Sequence, residues 1–124
     1  MTYQAPVNDI LAALKAAGAF DRTLVNGGGG EGLDEETVRA ILEEAGSFAS
    51  EVLDPLNRVG DKVGSRLDNG RVVTPPGWAE AYRQFVAAGW SALPCPPEYG
   101  GQGLPAAVAM GVSEIWSASN LAFG

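Results

Sequence analysis

Few side chains in this 124-residue sequence are able to do chemistry. It has no histidine and one cysteine, Cys95. A Ser-His-Asp triad, a Cys-His pair and a zinc site of the Cys/His type are therefore excluded within the chain, as is an internal disulfide. Cys95 stands between Pro94 and Pro96 and reads as a small buried hydrophobe rather than a nucleophile. The carboxylates Glu43, Glu44 and Glu51, with Arg39, fall opposite an apolar helical stripe and read as a solvated face, not as paired acids for proton transfer. The run Gly27 to Gly30, continuing to Glu31 and Gly32, has the look of a phosphate cradle. Such a loop needs a Lys and a Ser or Thr after its glycines, and Glu31 follows instead. The dinucleotide-binding turn needs a strand before it, and Phe20 to Asn26 is a weak one, so the tract reads as a flexible linker. From residue types alone, the expectation is no catalytic, cofactor-binding or metal-ligating residue in these positions.

The elements that would position a site are helical. Asn8 is placed to cap a short helix with Ile10, Leu11 and Leu14 on its apolar face and Gly18 at its end. A long helix is expected from Leu33 to about Arg58, capped by Asp34 and carrying Glu35 and Glu36 in its first turn. Its stripe is Val38, Ile41, Leu42, Ala45, Phe48, Ala49, Val52, Leu53 and Leu56, and Pro55 should kink or break it. Asp68-Asn69-Gly70 predicts a short hairpin or tight loop, with no real sheet.

Thr74 and Pro75 are placed to open the next helix, with Trp78, Ala81, Tyr82, Phe85 and Val86 on one face and Gly89 after it. Trp90, Leu93 and Pro94 read as an extended, buried strip, because Pro96 and Pro97 disfavour helix and central strand. Gly100, Gly101 and Gly103 suit a tight loop with positive φ or close backbone contact. From Pro105 a last helix is apolar nearly all round, through Ala106, Val108, Met110, Val112, Ile115 and Trp116, which predicts a buried, central position. Leu121 to Gly124 follow without a clear stop signal.

The stretch from Trp90 to Pro105, above all PPEYGGQGLP, resembles the amino-terminal helical domain of the flavin-dependent acyl-CoA dehydrogenases, where a similar proline- and glycine-rich turn joins two helices near the substrate side. ILEEAGSFASEVLDPLNRVGD is similar to the first long helix of that family. The opening Tyr3, Ala5, Pro6 and Asp9 resembles the branch that includes enzymes acting on methylthiopropionyl-CoA. The glycine insert at Gly27 to Gly32 departs from the family at a loop.

The resemblance implies an all-α bundle of about four helices. It covers 1–124 as a single amino-terminal domain, with a leader helix and glycine-rich linker over 1–32 and core helices over 33–124. A middle β-domain and a carboxy-terminal helical domain would lie outside these residues, and the ending at Gly124 reads as a cut. The family uses FAD to oxidise the α–β bond of an acyl-CoA to the enoyl-CoA, passing electrons to an acceptor, and its members form homo-oligomers. Its catalytic glutamate and most flavin contacts belong to the absent domains, so no acid here inherits them. The resemblance places the start of the acyl-chain lining at the end of this chain, which makes Phe123 and Gly124 the candidate pocket neighbours.

The formal net charge of −7 argues against a general nucleic-acid binder and against adhesion to anionic membranes. No segment approaches the ~20 apolar residues of a membrane span, and MTYQAPVND lacks a basic leader, so a cytoplasmic protein is expected. Two other functions stay open on the sequence: a freestanding helical interaction module descended from such a domain, and a nucleotide-binding fragment built on the glycine tract.

Overall fold

A computed structural model describes residues 2–20 and 33–124. The glycine tract Gly27 to Gly32 lies outside the described residues. In order, the elements are α1 (Val7–Ala16), α2 (Glu35–Phe48), a π-helical segment Ala49–Leu53, α3 (Asp54–Val63), strands β1 (Arg66–Asp68) and β2 (Arg71–Val73), α4 (Trp78–Ala87), two single-turn 3-10 segments at Trp90–Ala92 and Pro97–Tyr99, and α5 (Ala106–Ser119). With α2, the π segment and α3 counted as one continuous rod, four helical rods carry the fold. The small two-stranded sheet means that the strictly all-α expectation is too narrow.

The hairpin exists because its turn chemistry is sufficient. Asn69 and Gly70 both take positive φ, at 48° and 75°, as a two-residue hairpin turn with the right twist requires. Leu67 then pairs with Val72, and Arg66 with Val73. Both faces of this ribbon are exposed.

Asp34 caps α2 as its type suggests, accepting from Thr37 N at 2.7 Å. Asn8 does not cap α1; Pro6 takes that position. Asn8 Oδ1 accepts from Arg39 Nη1 at 2.8 Å and ties α1 to α2. Pro55 does not break the long helix. Its ring and missing N–H conflict with the Glu51 carbonyl four residues back. The chain answers by widening into the π segment, where Asp54 N donates to Ala49 O five residues back, and it continues to Val63. π turns of this kind are local adjustments within a helix.

Nor do Thr74 and Pro75 open α4. Gly77, at φ 86°, is its cap residue, and Trp78 N reaches Pro75 O at 3.3 Å. Packing dictates the shift: a Cβ on Gly77 would stand 2.8 Å from Leu56 Cδ2. Gly89 ends α4 at φ 82° as expected. The strip after it is not extended, because Trp90–Ala92 coils into a 3-10 turn, and only Leu93 there is deeply buried. Pro97 opens the second 3-10 turn, a first position at which its missing N–H is harmless.

Cys95 is exposed, against the expectation of burial. Its main chain takes the inner position instead: Cys95 O accepts from Gly103 N at 2.9 Å, and Gly101 packs against that same carbonyl.

The core gathers Ile10, Leu11 and Leu14 of α1, Val38, Leu42 and Ala45 of α2, Ala49 and Leu53 of the π segment, and Val108, Val112, Ile115 and Trp116 of α5. Thus α5 is central on one face, with Gly111 close enough to Ile10 that a Cβ would stand 3.0 Å from its Cγ2. The other face is not covered: Met110 is 70% exposed. Among the described residues, no helix is long and apolar enough to cross a membrane.

The glycine turn yields a graded prediction. A Cβ on Gly101 would fall on the Cys95 carbonyl, whereas one on Gly100 meets open space but sits at φ 82°. Gly100→Ala should lose about 1–2 kcal/mol from the left-handed backbone alone. Gly101→Ala forces main-chain displacement and should lose about 3 kcal/mol or more. Urea unfolding followed by tryptophan fluorescence orders the two, and a milder Gly101→Ala would contradict the turn's packing.

Candidate functional site

The sequence directs attention to Phe123, Gly124 and the glycine turn, and the fold arranges these around a cluster of rings. Trp116 on α5 is flanked at 5.8 Å by Phe48 of α2, at 5.5 Å by Phe85 of α4 and at 5.2 Å by Trp90, each contact edge-to-face. Phe123 closes the cluster from the turn after α5, with its ring 5.6 Å from Phe85 and 5.8 Å from Trp78. Periodicity explains the convergence: Phe48 continues the α2 stripe, Trp78 and Phe85 lie seven residues apart on one face of α4, and Trp116 points inward from the buried side of α5.

Phe123 is therefore a half-buried aromatic at the rim of a continuous apolar wall. Gly124 is exposed and close to the helix it follows, where a Cβ would stand 3.0 Å from Ser117 N. The turn that carries both is pinned by Asn120, whose carbonyl accepts from Phe123 N at 3.0 Å and Gly124 N at 3.1 Å. Asn120 is itself fully buried, and its Nδ2 donates to Leu53 O at 3.1 Å.

From Tyr99 to Leu104 every amide of the glycine turn has a carbonyl partner. Tyr99 N and Gly101 N donate to Pro96 O, Gly100 N to Pro97 O, Gln102 N to Ala92 O, Gly103 N to Cys95 O and Leu104 N to Leu93 O. A phosphate cradle works by offering unsatisfied N–H groups to the anion. This turn offers none, so it does not fit the pyrophosphate of a dinucleotide cofactor. Its work is to connect α4 to α5 with its own polar groups satisfied.

Titratable groups are sparse near the rings. Glu43, Glu44 and Glu51 lie exposed on the outer face, and among the described residues no three acids or thiols gather into a metal-binding group. Asp34 is held below the usual carboxylate range by the amide of Thr37, and Glu80 by its bond to Arg83 and then Gln84. Both are local surface arrangements.

Tyr3 differs. Its amide donates to Asp54 Oδ2 at 3.0 Å, and its hydroxyl is buried without a hydrogen-bond partner among the described residues. Burial, and then the nearby Glu114 charge, push its phenol above the ordinary tyrosine range. Asp54 and this role of Tyr3 are not legible from sequence, because the bond spans 51 residues. Asn120 carries a weak signal, a lone amide ending an otherwise apolar helix.

The arrangement is thus an aromatic cluster beside an internally bonded turn between two helices. In sequence the chain matches the amino-terminal part of an acyl-CoA dehydrogenase along its whole length. One such relative is the 3-methylmercaptopropionyl-CoA dehydrogenase of Ruegeria pomeroyi, 43% identical over 124 residues. That span is 100% of this chain and 21% of the relative, so the chain covers about a fifth of its length. No family model matches the chain.

Two predictions follow from this geometry. Trp116→Ala removes the ring that three others contact and should lose about 3–5 kcal/mol of stability, whereas Met110→Ala on the open face of α5 should change it by about 0.5 kcal/mol or less; urea midpoints compare them. For Tyr3, a folded-state pKa above the unfolded one means the folded chain holds its proton more tightly. Its stabilising share is complete below the unfolded pKa and is lost as pH rises through the folded one. Tyr3→Phe should therefore be at least as stable as the parent at about pH 8, with its advantage growing toward about pH 11. An equal alkaline loss in both proteins would rule out Tyr3 as its source.

Proposed function

We propose that the chain is the amino-terminal helical domain, over residues 1–124, of an FAD-dependent acyl-CoA dehydrogenase that oxidises the α–β bond of an acyl-CoA thioester to the enoyl-CoA. The observation that carries this reading is the 43% identity along the entire chain to the Ruegeria pomeroyi enzyme. That enzyme's name supports a methylthio-substituted short acyl group as the substrate class. An acyl-CoA and an electron acceptor are then the partners, the assembly a homo-oligomer and the compartment the cytoplasm.

In this reading the chain's own residues bind and shape rather than transform. The wall of Phe85, Trp116 and Phe123 presents apolar surface suited to excluding water from an alkyl chain, at about 25 cal/mol for each Å2 covered. Phe123 and Gly124 are the members nearest the acyl group. FAD held by the whole enzyme would supply a hydride acceptor for the acyl β-carbon. The glycine turn, with every amide from Tyr99 to Leu104 engaged internally, gives the cofactor no phosphate site there; the family resemblance implies that flavin and catalytic carboxylate belong to a middle β-domain and a carboxy-terminal helical domain.

A freestanding interaction module is the second reading. Leu67 and Val72, paired across the hairpin and 75% and 70% exposed, favour a cover, which either further domains or a separate partner would supply.

Expression settles the choice between them. The 124-residue chain alone should purify colourless and should not reduce a dye acceptor when given 3-methylmercaptopropionyl-CoA. A protein continuing the reading frame past codon 124 should carry FAD, purify yellow and reduce the dye. Stoichiometric FAD in the isolated chain would overturn the flavin assignment, and a stop codon directly after 124 would favour the module.

A further inference from the structure

We infer that Asn120 is a positioning residue that sets Phe123 against the aromatic wall by bonding in two directions at once. Its functional meaning rests on the reading of Phe123 as a pocket neighbour; its geometry does not. Asn120 is the point where α5 stops: its N–H still donates to Trp116 O at 2.9 Å, while its own backbone is extended at φ −157° and ψ 90°. From there its carbonyl accepts both Phe123 N and Gly124 N, curling the turn back under the helix. The side chain fixes where that turn sits. Nδ2 reaches across 67 residues to the Leu53 carbonyl, at the end of the π segment that Pro55 imposes. The turn bearing Phe123 is thus referenced to the long helix as well as to α5, and the ring falls between Trp78 and Phe85.

The donor is the part that acts. Asn120 Oδ1 has no hydrogen-bond partner among the described residues, so only the N–H toward Leu53 requires replacement. A neutral carboxylic acid of the same shape retains an O–H donor, whereas its carboxylate turns lone pairs onto a carbonyl and has no proton to give. Asn120→Asp should therefore behave as a protonation-dependent version of the parent, with burial raising the pKa of the introduced carboxyl. Asn120→Leu has similar bulk and no donor at any pH. Nearest in the chain to the two bonded residues are the ionisable groups Glu51 of the π segment, Asp54 at the start of α3 and Glu114 of α5; α2 adds Glu35, Glu36, Arg39, Glu43 and Glu44, and the rest of α3 adds Arg58, Asp61 and Lys62. Asp54 sits next to Leu53 and holds Tyr3 N, so acid titration in Asn120→Leu serves as the control for it and for the other groups.

The test is amide exchange at Phe123 and Gly124, with the ring-current-shifted Phe123 ring protons followed by NMR, in the 124-residue chain. Asn120→Leu should lose protection at both amides by about tenfold or more and move the Phe123 ring shifts toward random-coil values, with α5 amides before Trp116 unchanged. Asn120→Asp should match the parent in acid and the Leu variant above the introduced pKa, a transition absent from the parent and from Asn120→Leu. Parent-like Phe123 signals in Asn120→Leu, or Asn120→Asp signals that do not change with pH, would overturn the assignment. If Asn120→Leu unfolds globally, the pH response of Asn120→Asp decides alone. These signals report the ring's place whatever ligand faces it. Failure of the pocket reading would appear separately, as an acyl-CoA KM in the flavin-bearing protein that Phe123→Ala does not move.

Discussion

The packing of Trp116 is the interaction on which the domain depends. One ring brings together Phe48 from the long helical rod, Phe85 from α4 and Trp90 from the turn beyond it. Deep burial is scarce elsewhere in these segments: α3 has no fully buried residue, and α4 buries only Ala81 completely. Edge-to-face ring pairs add stabilisation beyond the area they bury. Phe123 shares Phe85 with Trp116, so the position of the terminal turn is inherited from the same cluster.

A second constraint is backbone satisfaction in the connection from α4 to α5. Prolines remove donors at 94, 96, 97 and 105, and the amides of Ala92, Cys95 and Tyr99 to Leu104 find carbonyls within the same stretch. This explains why three glycines sit there for structural reasons and why a glycine-rich sequence has no anion site. It also explains the exposed thiol of Cys95: the inner position is filled by its carbonyl, which two glycines approach. The same economy appears at Pro55, where a widened π turn takes up the loss of one hydrogen bond and the Leu53 carbonyl becomes the anchor for Asn120.

Much of this was legible in the sequence where one residue type has one strong reason to be in place. Asp34 as a cap, Gly89 as a left-handed stop, Asn69-Gly70 as a tight turn and the Val38 to Leu53 stripe all follow from local chemistry or a single period. The failures are at positions decided by distant neighbours. Gly77 replaces Thr74 at the start of α4 because Leu56 lies against it. Asn8 is taken by Arg39 rather than by its own helix. Cys95 is oriented by Gly101 and Gly103, residues that no local propensity connects to it. Of the candidate site, Phe123 and Gly124 were chosen by resemblance, whereas the ring cluster and the Asn120 anchor emerge only in three dimensions.

We propose that these residues form a helical scaffold of an acyl-CoA dehydrogenase that depends on further domains for its chemistry. The most direct measurement replaces the matching segment of the Ruegeria pomeroyi enzyme, 21% of its length, with residues 1–124 of this chain, and records flavin content and dye reduction by 3-methylmercaptopropionyl-CoA. The account predicts a yellow, soluble chimera that turns over the substrate and loses affinity for it when Phe123 is changed to Ala. A chimera that folds and holds FAD yet leaves the acyl-CoA unoxidised would contradict it.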